Sequence, residues 1–189
     1  DGNECGDAIR ALVKMGAKAA KPGLSNLKKV AKEPVVHTNF ELGQAAAAVL
    51  ALAKDAKPVL QILKGGDQYK IRITIEDLAR TPMQDIGTGK SKEIADVVER
   101  LGQYASAEEK YELDCGAAAV AIFNISGDTS KAITLLQLTT GRFDEPFISV
   151  IRMCRDLGVR AKPLLPEIKK CKGRGADALV NEAISSVEQ

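Results

Sequence analysis

Stacked helix pairs, about five of them antiparallel and followed by one terminal helix, are the all-α architecture that three observations predict. The first is a corner that occurs three times: Met15–Leu24, Leu52–Leu60 and Leu157–Leu165. Each copy closes an apolar helical pattern, breaks, takes a Lys-Pro step and opens a second apolar pattern. The second is their spacing. Pro22 and Pro58 lie 36 residues apart, and Pro58 and Pro163 lie 105 apart, close to three such periods. Periods of this size mark arrays of helix pairs. The third is composition. Hydrophobic residues make up 45% of the 189, alanine is conspicuous among them, aromatics are 4% and Trp is absent. Alanine favours helix and lets helices approach closely.

The elements follow in order. Ile9, Leu12, Val13 and Gly16 mark one helical face, and Leu24, Leu27, Val30 and Ala31 the next. Pro22 is placed in the first turn of that second helix. Lys32–Asn39, with Pro34 and the only histidine, His37, reads as a loop. Leu42 to Ala53 forms the first helix of a second pair, and Pro58–Lys64 its partner, ended by Gly65-Gly66. The third pair is ambiguous. Tyr69, Ile71, Ile73 and Ile75 alternate as in a strand, whereas Ile71, Ile75, Leu78 and Ala79 share a helical face. The surrounding period favours helix. A loop over Thr81–Lys90 precedes a helix carrying Ile94, Val97, Val98 and Leu101. Ser106-Ala107-Glu108-Glu109 has the capping-box pattern and opens a helix running to about Ile125. Gly127–Ser130 breaks it before a helix with Ile133, Leu136 and Leu138. A fifth pair starts near Asp144 and resumes after Pro163, and the last helix spans Ala176 to Val187.

The segments Ala8–Gly16 with Ala20-Lys21-Pro22, Ala45–Leu52 with Lys57-Pro58-Val59-Leu60, and Val150–Gly158 with Lys162-Pro163-Leu164-Leu165 resemble the HEAT-repeat family. Specifically, they resemble the short bacterial HEAT-like repeat first noted in phycobilisome lyases. Asp67–Leu78 looks like a further repeat start. The resemblance implies a single α-solenoid domain over residues 1–189. In it, first helices form one surface and second helices line a concave binding face. The family pattern is structural and specifies no chemistry.

Net charge is +2, too small to point to a polyanion by itself. Its distribution is uneven. Residues 10–32 carry Arg10, Lys14, Lys18, Lys21, Lys28, Lys29 and Lys32 without one acid, residues 93–114 are rich in acid, and 160–174 are basic again. Lys14, Lys18, Lys21, Lys28 and Lys29 form a candidate edge for docking a protein or peptide partner. Cys5, Cys115, Cys154 and Cys171 lack C-x-x-C spacing and read as free thiols in a reducing compartment, with an exported, processed form as the alternative. Cys154 and Cys171 are placed at opposite ends of antiparallel helices, so that pair is not expected to meet. No apolar run reaches membrane-spanning length. The chain begins at Asp1, which reads as a processed product or a fragment of a longer solenoid.

Gly87-Thr88-Gly89-Lys90-Ser91 resembles the end of a phosphate-binding loop, but Gln84 stands where that loop needs its first glycine. The motif reduces to a candidate anion-binding loop of Gly87, Gly89, Lys90 and Ser91 at a helix start. One histidine cannot build a multi-histidine metal centre, and no Ser-His-Asp or Cys-His nucleophile has its partners. Without Trp, and with Tyr69, Tyr104 and Tyr111 mostly outside the basic stretches, base recognition is disfavoured. Asn124-Ile125-Ser126 matches a glycosylation acceptor but lies at a helix end. No cofactor is expected. The leading function is a non-enzymatic, protein-binding scaffold. Head-to-tail self-assembly is the first alternative, because Ile9, Leu12 and Val13 at one end and Leu179, Ile184 and Val187 at the other show no clear polar cap. A lyase-like accessory role is the second.

Overall fold

The computed structural model describes residues 2–32, 39–65, 67–83, 91–106, 112–138 and 145–189, and among these every regular element is helical. The helices are α1 (Gly2–Ala20), α2 (Leu24–Val30), α3 (Asn39–Ala53), α4 (Lys57–Gly65), α5 (Gln68–Arg80), α6 (Lys92–Tyr104), α7 (Glu112–Ser126), α8 (Ser130–Gln137), α9 (Glu145–Leu157), α10 (Leu165–Lys170) and α11 (Asp177–Glu188). The chain falls into two compact units, residues 1–100 and 101–189, with the division inside α6.

Within the first unit α1 packs on α3 and α3 on α5, while α2 and α4 lie against α3. Within the second, α7 packs on α9 and α9 on α11, and α8 lies against α7 and α9. The middle helices are therefore covered on several sides. Ala45 to Leu50 are completely buried, and so, nearly, are Ala117 to Ala121. A helix apolar all round is one that neighbours surround. Small side chains are what allow it, because each alanine lets another backbone come close.

α5 settles the helix-or-strand ambiguity as the period predicts. Asp67 is its N-cap: its carboxylate accepts the Lys70 N–H at 2.9 Å. Ile75, Leu78 and Ala79 point into the core, as does Ile73. The alternation of isoleucines is incidental to a helix whose buried face happens to take them.

The corners are sharper than Lys-Pro alone suggests. A residue with positive φ marks four corners: Gly16 (78°), which kinks α1 within its span, and Lys54 (56°), Gly127 (79°) and Gly158 (59°), which directly follow α3, α7 and α9. Pro22 and Pro163 sit in short 3-10 turns (Lys21–Gly23 and Gly158–Leu164), not in the first turn of an α-helix. Lys54-Asp55-Ala56-Lys57 and Gly127-Asp128-Thr129-Ser130, 73 residues apart, are the same device. Asp55 Oδ1 accepts the Lys57 N–H at 3.2 Å and Asp128 Oδ1 the Ser130 N–H at 2.9 Å, so each aspartate starts the second helix. The Gly127 break is thus a full corner without lysine or proline.

At Gly16 φ is 78° and ψ 168°, a region that essentially only glycine adopts. A β-carbon there meets no atom within 4 Å, so substitution costs backbone strain alone. Gly16→Ala is expected to lower stability by about 2 kcal/mol, read from urea unfolding followed by circular dichroism. An unchanged midpoint would show that the corner does not depend on that conformation.

The apolar residues at the two ends are buried in part. Ile9 is buried, and Leu12 and Val13 are half-buried. Val180, Ala183, Ile184 and Val187 of α11 turn inward. Its exposed face is Asn181, Glu182, Ser185 and Glu188; that of α1 includes Glu4, Asp7, Arg10 and Lys14. Polar outer faces are what end helices of a repeat array need for solubility. Leu12, Val13 and Leu179 keep part of their surface in solvent.

Candidate functional site

The lysine edge is built by α1, the turn at Lys21–Gly23 and α2. Lys14 lies before the Gly16 corner and Lys18 after it; Lys21 opens the turn and Lys29 lies near the end of α2. All four are exposed, and among the described residues none forms a salt bridge. Met15, with 58% of its surface exposed, stands between Lys14 and the corner. Large apolar side chains are normally turned inward, and most of those described here are.

Lys28, the fifth candidate, differs from these four in having a carboxylate partner. Its Nζ pairs with Asp55 Oδ2 at 2.9 Å. The Lys28 hydrogen bond, with help from the Lys57 N–H, holds the Asp55 carboxyl below the usual carboxylate range. Asp55 thus joins α2 to the corner ahead of α4. A pair this exposed adds at most about 1 kcal/mol, so its role is to fix geometry.

Of the candidate anion loop, Gly87, Gly89 and Lys90 lie outside the described residues, as do His37 and Glu109 of the capping-box pattern. Ser91 takes the N-cap position of α6: its carbonyl accepts the Ala95 N–H at 3.2 Å. Its hydroxyl donates to Glu93 Oε2 at 2.9 Å. The first turn of α6 therefore carries its own carboxylate, where the helix dipole favours one. Ser106 donates its hydroxyl back to the Gln103 carbonyl at 3.2 Å, at the end of α6.

The cysteines are free thiols, three of them buried. Burial pushes Cys154 up to about 12, and the nearby Cys171 adds to the rise. Burial also pushes Cys115 up to about 11. Its Sγ lies 3.6 Å from the Ala105 carbonyl. These are packed hydrophobes, the opposite of the low-pKa thiolates that react. Asn124 is buried, so the glycosylation pattern is closed off in the folded chain. Among the described residues no three His, Cys, Asp or Glu converge as a metal site, and no helix is long and apolar enough to cross a membrane.

Sequence reading missed a polar seam in the first unit. A β-carbon on Gly43 of α3 would lie 2.7 Å from Asp77 Oδ2 and 3.3 Å from the Thr74 Cα of α5. Asp77 Oδ2, Thr74 Oγ1 and Gln44 Oε1 are sealed from solvent, and no hydrogen bond reaches them. Burial pushes the Asp77 carboxyl up to about 7, against the pull of Arg80 and Arg10 and with Glu76 adding to the rise. Two signals pointed here. Asp77 falls four residues after Ile73 on the buried face, and a glycine interrupts the alanine-rich α3. No family model, curated protein or solved structure matches the chain.

Proposed function

We propose that the chain is a non-enzymatic scaffold, a HEAT-like α-solenoid of about five helix pairs and a terminal helix. We further infer that it docks an acidic protein segment along Lys14, Lys18, Lys21 and Lys29. The observation that carries this reading is four exposed lysines without carboxylate partners on α1, the turn after it and α2, with an exposed Met15 beside the Gly16 corner. A segment alternating acidic and apolar residues matches both the charge and the methionine. Met is adaptable and frequent at surfaces that accept varied partners. The steady side-by-side packing of α1, α3 and α5 and of α7, α9 and α11 supports the repeat reading.

A fluorescein-labelled peptide of alternating Glu and Leu, with a Lys and Leu peptide as control, tests it by anisotropy. The acidic peptide is expected to bind, and to weaken as salt rises. Charge reversal at Lys14, Lys18, Lys21 and Lys29 together should weaken it by about tenfold or more, about 1.4 kcal/mol. Lys28 stays unchanged, since its reversal would disturb the Asp55 corner. Equal binding by the charge-reversed protein, or by the basic control peptide, would remove this surface as the docking site.

A further inference from the structure

We propose that Asp77 is a proton-operated latch of the first unit: as the neutral acid it seats against Gly43 and closes the seam between α3 and α5, and as the carboxylate it loosens that seam. The geometry carries this. Oδ2 is sealed although Asp77 as a residue is only half-buried, so the inward oxygen is the one without water. It lies 2.7 Å from where a β-carbon of Gly43 would stand, so the carboxyl packs directly against the α3 backbone at this glycine. Thr74 Oγ1, one turn away on α5, is sealed as well and makes no hydrogen bond to it.

The charged groups around it are committed elsewhere. On α5 itself, Arg80 Nη1 donates to Glu76 Oε2 at 3.2 Å, and Glu76 repels a second negative charge. From α1, Arg10 Nη2 donates to Asp7 Oδ1 at 2.6 Å. From α3, Glu41 is the charged side chain, and it accepts from Cys5 of α1. From α4, Lys57 and Lys64 do not figure in the field at Asp77. Taking an unpaired carboxylate out of water is expensive, and a buried group responds by keeping its proton. The value near 7 places the change at neutrality.

The sign follows from linkage. The folded value lies above the unfolded one of about 4, so the native state holds an extra proton between about pH 4 and pH 7. Stability therefore falls as pH rises through that window and is flat above it. This runs opposite to an ion-paired aspartate such as Asp55, whose lowered value makes its contribution disappear as pH falls.

Two measurements on the whole chain decide it. Carbon-detected NMR of the Asp77 carboxyl should titrate near pH 7; a midpoint near 4 overturns the proposal outright, whatever any variant does. Amide exchange across α5, corrected for intrinsic pH dependence, should show protection about tenfold lower at about pH 8 than at about pH 5.5. Asp77→Asn, neutral at both pH values, should show equal protection at both. Equal protection in the wild type, or a pH-dependent loss that persists in Asp77→Asn, would sink the latch. The titration needs no variant, so a poorly folded Asp77→Asn leaves the test intact.

Discussion

Gly116→Ala is expected to destabilise the second unit by about 3 kcal/mol, the upper range for overpacking a close-packed interior. The methyl group has nowhere to go. A β-carbon at Gly116 would stand 2.5 Å from the Pro146 carbonyl oxygen, 2.6 Å from Ser149 Cβ and 2.8 Å from the Val150 nitrogen. Two of these are backbone atoms of α9, and a backbone cannot rotate aside as a side chain can. The helices must separate instead. That loosens the contacts of the fully buried Ala118, Ala119 and Val120, the alanine-rich stretch that made the close approach worthwhile. Gly102→Ala on α6 is the matched control. Its β-carbon meets nothing within 4 Å, and alanine in a helix is better than glycine by about 0.5–1 kcal/mol. Urea unfolding should therefore move in opposite directions for the two. A Gly116→Ala protein within 1 kcal/mol of wild type would show that α7 and α9 do not cross at this glycine.

The residues explain why some of this could be read from the chain and some could not. Corners are legible because glycine and proline act locally: Gly16 and Gly158 announce a left-handed residue, and Pro58 a helix start. Lys54 hides the second corner's geometry behind an ordinary side chain, and the Gly127 break has no Lys-Pro step to announce it. What recurs is the backbone turn with an aspartate that accepts the N–H of the second helix's first residue. α3 and α7 carry little periodic signal because they are covered on several sides, so alanine runs mark them but not their facing. Gly43 and Gly116 occupy the same place 73 residues apart, yet inside those runs each looks like one more small residue.

The site divides along the same line. An exposed lysine is a local property, and Lys14, Lys18, Lys21 and Lys29 remain exposed as their density suggests. Pairing is not local: Lys28 meets Asp55, 27 positions along the chain. Asp77 was hidden for a related reason. Only the packing of α3 on α5 shows that one oxygen of Asp77 is sealed.

Arg174→Ala should cost about 3 kcal/mol, and Arg174→Lys at least half of that. Arg174 lies in the turn between α10 and α11 and reaches back to the end of α8. Its Nη1 donates to the Leu136 carbonyl and its Nη2 to the Leu138 carbonyl. Those carbonyls belong to the last turn of a helix, which has no intrahelical donors and carries partial negative charge. The guanidinium also lies 4.4 Å from the centroid of the Phe147 ring, so one flat cation closes α8 and stacks on α9 at once. A hydrogen bond with a charged partner contributes about 1.5–3 kcal/mol, and a cation over an aromatic ring about 0.5–2. Lysine keeps the charge but can supply neither the two-pronged fork nor the stacking plane. Phe147→Leu separates the parts: it keeps an apolar side chain and removes the ring face, and should lose about 1 kcal/mol by itself, with little further loss when combined with Arg174→Lys. Urea unfolding of the four proteins gives the coupling directly. Arg174→Lys matching wild type would mean that charge alone is enough, and that the fork between two helices contributes nothing.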